Sequence, residues 1–387
     1  MKIGIEGQRL YRKKKHGMDM VALELIKNLQ QIDHKNEYVV FVRPDEDNTC
    51  IPPAPNFKIV ELTSRFGYPG WEQIELPRAA YKEGCDVLHC TSNTGPLFSK
   101  VPLITTLHDI IYLESISLFK REGTWYQKLG NMYRRWSVPS VIKKSKKVIT
   151  VSNYEKERIN TYFGFTDNRL TAIYNGVGAH FQHVTNAEKL RVIKTAYDLP
   201  DKFFFFLGNT DPKKNTKGVL AAFGKFIENN EDPYKLVMLD YDEAELQKLL
   251  VFIGMPQLRE RIHLLGYVPN TELPSIISQC TIFLYPSLRE SFGIPILEGM
   301  ACGVPVITSN TSSMPEVAGN DAALIVDPYE VDQIVAAMQT LVDDDILAKV
   351  LAERGILRAK KFSWVAMSQN VLELYQALYK ELNGSAH

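Results

Sequence analysis

Short apolar segments alternate with segments of helical periodicity along the entire chain. This alternation is typical of parallel β-sheets covered by helices on both faces. In the first half of the chain the apolar segments predict strands at residues 2–6, 38–43, 58–62, 87–90, 103–108, 148–152 and 171–174. In the second half they predict strands at residues 203–207, 235–239, 262–265, 282–285, 304–308 and 323–326. The pattern therefore predicts an α/β protein with two doubly wound halves.

The division into domains follows from the length and from one irregular segment. A chain of 387 residues exceeds what one hydrophobic core usually supports, so we expect two domains. Residues 176 to about 187 are polar, contain glycines and show no clear periodicity, which marks the joint. We expect domains at residues 1–180 and 188–363, followed by a helix that begins near residue 364. The apolar positions of that last helix are Val371, Leu374, Leu378 and Leu382.

The composition excludes several classes of protein. The 45 basic and 45 acidic residues balance, which argues against a dedicated nucleic-acid binder. The five cysteines are scattered and lack metal-site spacing, which fits reduced thiols. No apolar run reaches the roughly 20 residues needed to cross a bilayer, and the chain starts with a strand pattern, so we expect a cytoplasmic protein. The glycine-rich phosphate motifs of dinucleotide oxidoreductases and phosphate-loop nucleotidases are missing from the sequence.

One stretch departs from this balance. Residues 119–147 contain nine lysines or arginines and one glutamate, with tryptophans and tyrosines between them. A helix lying on anionic lipid headgroups has this composition, and so does an ordinary solvated helix with a few packed aromatic side chains. Contact with an anionic membrane through residues 119–147 is therefore one of two interpretations.

Two glutamates carry the first sign of a ligand site. Glu290 lies in a polar turn after an apolar segment and Glu298 in the helix that follows, so both can point into one crevice at the carboxyl end of a strand. The backbone amides near Phe292, Gly293 and Ile294, at the start of that helix, would face an anion. Carboxylates beside a phosphate fit a sugar, whose hydroxyls they bind as acceptors. The alternative is a solvated turn residue and a residue on the helix surface.

Other polar residues end predicted strands. Lys213 and Lys214 follow the strand at 203–207 and could neutralise a diphosphate, or they are two exposed loop lysines. His108 ends the strand at 103–108, where an imidazole could bond a sugar hydroxyl or serve only the fold.

From Tyr285 to Pro328 the chain closely resembles the donor-binding segment of the retaining nucleotide-sugar glycosyltransferases of family four. The matching sequence words are Glu290-x7-Glu298, Ser291-Phe-Gly-Ile-Pro295, Met300-Ala-Cys-Gly-Val-Pro-Val306, Ser312-Ser-Met-Pro-Glu-Val317 and Val326-Asp-Pro328. Looser matches elsewhere are Phe206-Leu-Gly-Asn-Thr-Asp-Pro-Lys-Lys-Asn215, Gly266-Tyr-Val-Pro269, Ile149-Thr-Val-Ser152, Tyr174-Asn-Gly-Val177 and Leu107-His-Asp109. The resemblance therefore spans nearly the whole chain.

The resemblance implies the GT-B architecture, in which two Rossmann-like domains face each other across a cleft. Residues 1–180 would bind the acceptor, residues 188–363 would bind the donor, and the helix within residues 364–387 would cross back toward the first domain. The donor would be a nucleotide diphosphate sugar, with no further cofactor and no metal site.

The resemblance also implies roles for individual residues. Glu290 would bind the transferred sugar and His108 would lie beside it, as the two catalytic positions. The residues expected to bind the donor are Gly17, Lys213, Lys214, Asn215, Tyr267, Val268, Ser291, Phe292, Gly293, Ile294 and Glu298. Arg9 and Asp109 would lie on the acceptor side.

The function implied is the retaining transfer of a hexosyl group to a hydroxyl of a glycan or lipid-linked acceptor, in surface polysaccharide synthesis. Mannose is the first guess for the sugar, because family members that use GDP-mannose have similar sequence words. Two alternatives stay open: a nucleotide-sugar 2-epimerase of the same architecture, and a noncatalytic subunit that only binds the nucleotide sugar. We expect the protein in the cytoplasm, with peripheral contact at the inner face of the membrane as the further option.

Overall fold

The computed structural model describes residues 1–15, 17–114, 125–165, 167–239 and 241–384, except for the side chains of 114, 125–129 and 131. Within it the chain forms two units. One consists of Met1–Asn175 together with Trp364–His387, and the other of Gly176–Ser363. Residues 176–186, where we expect the joint, contain no strand or helix apart from a bridge between Val177 and Ser363.

The first unit contains a seven-stranded sheet. Its strands are β1 (Lys2–Gly7), β2 (Glu37–Val42), β3 (Phe57–Glu61), β4 (Val87–Cys90), β5 (Leu103–Thr106), β6 (Lys147–Thr150) and β7 (Leu170–Ala172). They follow the order β3-β2-β1-β4-β5-β6-β7, and each neighbouring pair runs parallel. The order reverses direction between β1 and β4, and such a point forms a crevice at the carboxyl ends of the strands.

The helices of the first unit join these strands. They are α1 (Gly17–Ile32), α2 (Gly67–Gly70), α3 (Leu76–Lys82), α4 (Ile111–Glu114), α5 (Trp125–Lys144) and α6 (Asn153–Phe163), with a π-helical turn at Trp71–Glu75. None of the helices in the described part of the chain is both long enough and apolar enough to span a membrane. Of the basic aromatic stretch at 119–147, residues 119–124 lie outside the described residues.

The second unit repeats the plan with six strands. They are β8 (Phe203–Phe206), β9 (Lys235–Leu239), β10 (Ile262–Leu265), β11 (Ile282–Tyr285), β12 (Val306–Ser309) and β13 (Leu324–Val326). The order is β10-β9-β8-β11-β12-β13, again with parallel neighbours, so the reversal falls between β8 and β11. All four residues of β8 are phenylalanines and all are buried, which places this strand at the centre of the core.

The helices of the second unit are α7 (Ala187–Ala196), α8 (Thr216–Glu228), α9 (Glu243–Phe252), α10 (Leu273–Ile277), α11 (Ile294–Ala301), α12 (Met314–Ala318), α13 (Val331–Asp343) and α14 (Asp345–Ala359). A 3-10 turn at Pro212–Lys214 precedes α8 and another, at Pro256–Arg261, precedes β10.

The last helix, α15 (Trp364–Gly384), returns the chain to the first unit, where it packs against α1. The hydroxyl of Tyr375 lies 2.6 Å from Nδ1 of the buried His89 in β4, and Nε2 of His89 lies 2.7 Å from the hydroxyl of Thr106. The tyrosine thereby ties α15 to the sheet.

The thirteen predicted strands are present, each with ends within two residues of the prediction. Of the four apolar positions noted in α15, Val371 and Leu378 are buried, and Leu374 and Leu382 are partly buried. The buried side of the helix also includes Trp364, Met367 and Tyr375. Its centre is the tyrosine, whose polar hydroxyl finds a partner in the core.

Candidate functional site

The site in the second unit lies where the strand order reverses. The loop after β8 and the loop after β11 meet there, and the amide of Leu288 donates to the carbonyl of Lys213 at 2.7 Å. The carboxyl ends of two adjacent parallel strands thus bring together the two polar segments that the sequence analysis singled out.

Lys214 and Glu290 form the centre of this meeting point. The ammonium of Lys214 lies 2.7 Å from Oε1 of Glu290, and the two side chains are 16% and 13% exposed. The same ammonium donates to the hydroxyl of the buried Tyr285 at 2.7 Å. Burial, and then the charge of Glu290, raise the pKa of Tyr285, so the hydroxyl keeps its proton. Tyr285 ends β11 and holds the lysine at the carboxyl edge.

Glu298 lies one turn into α11 and is partly buried. Burial raises its pKa to about 7, and the charge of Lys214 acts in the opposite direction. Carboxyl groups whose pKa is raised by burial beside a cation occur more often at ligand sites than on solvated surfaces.

The turn between β11 and α11 is held by hydroxyl groups from the neighbouring β12 end. Ser313 donates to the carbonyls of Glu290 at 3.0 Å and Phe292 at 2.9 Å, and the amide of Glu290 donates to Oγ of Ser312 at 3.0 Å. Ser309 donates to the carbonyl of Ser287 at 2.6 Å. This network fixes the backbone that presents Glu290, Ser291 and Phe292.

Gly293 makes the connection into α11 possible. Its φ of 101° and ψ of 49° lie in a region that residues with a side chain rarely adopt. Gly293 makes no side-chain capping hydrogen bond to α11, so the positive end of this helix directly follows the turn that holds Glu290. Ile294 begins that turn, and anion binding at its amide stays a prediction.

The two neighbours of Lys214 in sequence behave differently from it. The Lys213 side chain is 43% exposed, with its ammonium 3.5 Å from Asp211. Asn215 adopts a left-handed conformation, and its side-chain amide donates to the carbonyls of Pro286 at 3.0 Å and Pro328 at 2.8 Å. The asparagine amide therefore braces three loops. Its predicted role on the donor stays a prediction.

Tyr267 and Val268 follow β10, at the edge of the same sheet. Tyr267 is largely exposed and Val268 is buried. Since β10 stands three strands from β11, about 14 Å separates these residues from the glutamates along the carboxyl edge.

In the first unit the reversal point lies between β1 and β4. Glu6, at the end of β1, accepts from the amide of Thr91 at 3.2 Å and from the amide of Gln8 at 2.9 Å. His108 follows β5 and is buried, and its Nε2 lies 3.0 Å from the carbonyl of Thr91. Because a carbonyl can only accept, Nε2 carries the proton and Nδ1 is the acceptor. Burial lowers the pKa of His108, so the ring is neutral and can accept a hydrogen bond from a hydroxyl.

Arg9 and Asp109 occupy the same edge of the first sheet. The Arg9 guanidinium lies 5.5 Å from the ring centre of Tyr68, and its Nε has no hydrogen-bond partner among the described residues. Oδ1 of Asp109 accepts from the amide of Ile111 at 3.2 Å. Gly17 begins α1, whose first turn already holds the buried carboxylate of Asp19, a group that competes with an anion there.

The structure adds a buried carboxylate that the sequence did not single out. Glu72, in the π-helical turn, accepts from the hydroxyls of Tyr68, Thr94 and Tyr133 and is 2% exposed. Burial raises its pKa, and the three hydroxyl donors oppose the shift. No sequence signal marks it, because its partners lie 4, 22 and 61 positions away.

Within the described ranges, no group of three or more histidine, cysteine, aspartate or glutamate residues is arranged to hold a metal ion.

Comparison with known proteins decides the family. The sequence model described as Glycosyltransferase Family 4 matches residues 16–180, and the one described as Glycosyl transferases group 1 matches residues 191–358. The chain is 31% identical to O-antigen chain mannosyltransferase B from Escherichia coli over 275 residues, which are 71% of this chain and 70% of that protein. The chain belongs to glycosyltransferase family 4. The family predicted from the sequence motifs is thus confirmed, and so is the prediction that the protein is an enzyme, a glycosyltransferase.

Two further likenesses concern a longer relative and the fold. The glycosyltransferase is 27% identical to the serotype-specific mannosyltransferase WbdA of Escherichia coli. The match covers 60% of this chain and 29% of WbdA. The Anabaena Alr3699/HepE structure in complex with UDP and glucose has a TM-score of 0.74 at 17% identity, covering 97% of this chain and 100% of that one. The predicted GT-B fold class is confirmed.

Proposed function

We propose that this glycosyltransferase moves a hexosyl group, mannosyl first, from a nucleotide diphosphate sugar to a hydroxyl of a glycan or lipid-linked acceptor in polysaccharide synthesis. The observation that carries the proposal is the Lys214–Glu290 pair at the reversal point of the second sheet. Named relatives that are mannosyltransferases, one of them for the O-antigen chain, support the sugar and the acceptor class. The neighbour with bound UDP and glucose supports the donor class.

The donor would bind along the carboxyl edge of the second sheet. Its diphosphate takes the ammonium of Lys214 and the uncapped end of α11, which together supply positive charge where negative charge develops on the leaving group. Glu290, released from the lysine, accepts hydrogen bonds from the hexose hydroxyls. Glu298 accepts from the ribose hydroxyls, and Tyr267 and Val268 contact the base.

The transfer proceeds with retention at the anomeric carbon. The bond from that carbon to the phosphate oxygen breaks, the bond to the acceptor oxygen forms on the same face, and the acceptor proton passes to the leaving phosphate. Glu290 acts as a hydrogen-bond acceptor in this scheme and forms no covalent bond. In the first unit Nδ1 of His108 accepts a hydrogen bond from a sugar hydroxyl, and Arg9 faces an anionic group of the acceptor.

A donor and acceptor panel tests the proposal. The protein is incubated with GDP-mannose, UDP-glucose and related donors, with and without EDTA, and with glycan acceptors, and products are identified by mass spectrometry. Transfer of a hexosyl group, or slow hydrolysis of one donor, is expected. Release of a free epimerised sugar without an acceptor points to the 2-epimerase instead. Donor binding with neither transfer nor hydrolysis points to the noncatalytic subunit.

The division of labour between the two glutamates has its own test. Glu290→Gln removes a contact to the transferred sugar and should lower turnover at saturating donor far more than Glu298→Gln, which removes a contact to the ribose. Equal losses of turnover in the two variants contradict the assignment.

We propose in addition that the enzyme works at the inner face of the cytoplasmic membrane, in contact with anionic lipid. The support is the basic and aromatic composition of residues 119–147.

A further inference from the structure

The first unit carries a groove of about 830 Å³ away from the residues of the site. One wall is the exposed side of α3, with Arg78 and Tyr81, and the opposite wall is the segment 97–103 that leads into β5. The end of α5 and the start of β6 close it with Lys144 and Lys146. The groove is open to solvent and large enough for several small polar groups.

The charged side chains that line the groove all have the same sign. Four cationic side chains line the groove, those of Arg78, Lys100, Lys144 and Lys146. Of the described residues that line it, none is an aspartate or glutamate. In a chain whose 45 basic and 45 acidic residues cancel, this is a local excess of positive charge. Such a groove attracts anions, and the attraction weakens as salt is added.

Its aromatic side chains are unusually accessible. Phe98 is 80% exposed and Tyr81 is 59% exposed. Lys144 lies 4.4 Å from the ring centre of Phe98, and Lys100 lies 4.8 Å from that of Tyr81. Each ring therefore stands in solvent beside a cation, a combination found where a protein meets the headgroup layer of a bilayer. On α5, Trp136 and Met132 are also exposed, one turn apart.

The position of the groove separates it from the transfer chemistry. Val101 and Leu103 lie at the amino end of β5, whereas His108 follows the carboxyl end of the same strand. Parallel strands place their carboxyl ends on one edge of a sheet, so the groove opens at the opposite edge from His108 and Arg9. A molecule held in the groove would anchor the protein and would not present a hydroxyl for reaction.

We infer that the protein binds the surface of an anionic bilayer through this groove. Phosphate groups of anionic lipids accept hydrogen bonds from Arg78, Lys100 and Lys146, while the rings of Phe98 and Tyr81 enter the interface beside them. The inference deepens the proposed membrane contact by naming its surface, and it does not depend on the transfer reaction. Lipid is favoured over a nucleic acid because the exposed Met132 and Trp136 extend the apolar part along α5.

Vesicle cosedimentation tests the inference directly. The protein is mixed with two kinds of vesicle, at low and at high salt. One kind is phosphatidylcholine alone, and the other also contains about 30 mol% phosphatidylglycerol. We expect binding to the anionic vesicles only, weakened by salt. The double variant Lys100→Glu and Lys146→Glu should bind at least about tenfold more weakly, because each basic residue near the surface contributes several-fold to the affinity. Phe98→Ser should weaken the binding that persists at high salt.

A matched control uses the same change of charge in the second unit. Lys189 and Lys217 are exposed, and Lys217 lies 4.7 Å from the ring centre of the exposed Phe252, which reproduces the lysine–aromatic pairing outside the groove. Lys189→Glu with Lys217→Glu should leave vesicle binding unchanged. Equal melting temperatures of both double variants show that the fold is intact.

Three outcomes overturn the inference: no binding of the wild type to anionic vesicles, equal losses in the groove and control variants, or binding of short single-stranded RNA in place of vesicles. Transfer to a water-soluble acceptor is measured in parallel. Normal transfer by the groove variant together with lost vesicle binding supports the inference. Absence of transfer by the wild type would count against the proposed function alone.

Discussion

Lys214 and Glu290 are 76 positions apart in sequence, and their side-chain charges lie 2.7 Å apart at the reversal point of the second sheet. Two groups proposed to hold different parts of one ligand thus neutralise each other in the structure. A donor that brings a diphosphate and sugar hydroxyls can replace both halves of this pair. The pair keeps either charge from being left alone in a crevice where an unpaired charge would be costly.

Removing the lysine charge should weaken donor binding. Lys214→Met deletes a charge-assisted contact to the diphosphate, and we expect a dissociation constant about 10- to 100-fold higher by calorimetry. Lys213→Met is the comparison variant, and a smaller loss of donor affinity is expected because that side chain is 43% exposed with its own acidic neighbour. Similar losses in the two variants would show that the diphosphate is not bound as proposed.

Because Lys214→Met leaves Glu290 without its cation, its stability must be checked separately. The double variant Lys214→Met with Glu290→Gln removes both charges and should recover the melting temperature lost in the single variant. Donor affinity should stay low in the double variant. Recovery of affinity along with stability would mean that the lysine acts only through the fold.

Donor affinity should depend on pH through Glu298. Burial raises the pKa of Glu298 to about 7, and only its ionised form can accept two hydroxyl hydrogen bonds. As pH falls below 7, the dissociation constant should therefore rise by up to about tenfold per pH unit. Calorimetry between about pH 5.5 and 8.5 checks this, with Glu298→Gln expected to remove the dependence. Identical pH profiles for variant and wild type would exclude Glu298 as the titrating group.

The same group has the opposite effect on stability. A folded-state pKa above the ordinary 4.5 means that the contribution to stability is complete below about pH 4.5 and is lost as pH rises to about 7. The free protein with Glu298→Gln should therefore melt higher than the wild type at about pH 8, and this difference should vanish near pH 4.5. A variant that melts lower at both pH values would contradict the burial argument.

Gly293 should not tolerate a side chain. With φ at 101°, Gly293→Ala should lower the free energy of unfolding by about 1–2 kcal/mol and disturb the start of α11, with a loss of donor affinity. Gly17→Ala is the matched variant, because an added Cβ there meets no atom within 4 Å and its φ is not positive. It should unfold like the wild type. If Gly17→Ala unfolds like the wild type but has a higher Michaelis constant for the donor, the diphosphate approaches α1 closely.

Acid should destabilise the first unit through His89. Burial, and then the neighbouring His108, lower its pKa to about 3 from the ordinary 6.5. A depressed folded-state pKa gives stability that is complete above about pH 6.5 and is lost as pH falls toward 3, with a slope of up to about 1.4 kcal/mol per pH unit. Urea unfolding across this range should show a shallower slope in His89→Gln. If the free energy of unfolding falls with pH equally steeply in the wild type and in His89→Gln, protonation of His89 does not destabilise the fold.

Much of the fold could be predicted because its signals are local. Buried parallel strands are continuous apolar runs, and the run at Phe203–Phe206 is unambiguous for that reason. The helix at α15 follows from periodicity, but the burial of the polar Tyr375 hydroxyl does not, because its partner is a histidine 286 positions away. Local patterns identify an element, and its partners decide which side is buried.

The site divides in the same way. Glu290, Gly293 and Glu298 lie in one sequence word, and their predicted neighbourhood follows from strand–turn–helix geometry. Two features depend on contacts between distant segments. One is the hydrogen bonding of the Asn215 side chain to neighbouring loops, and the other is the set of hydroxyl groups that donate to Glu72. Residue types alone give no sign of such contacts.

The return of α15 to the first unit has a consequence for synthesis on the ribosome. The second unit is one continuous segment, whereas the first needs residues from both sides of it. At bacterial or eukaryotic elongation rates the first 175 residues wait roughly 10–40 s for Trp364 and Tyr375 to be translated. During that interval α1 and His89 lack their covering helix, so the segment made second can complete its fold first, and a nascent chain halted before α15 should bind chaperones through its earliest part.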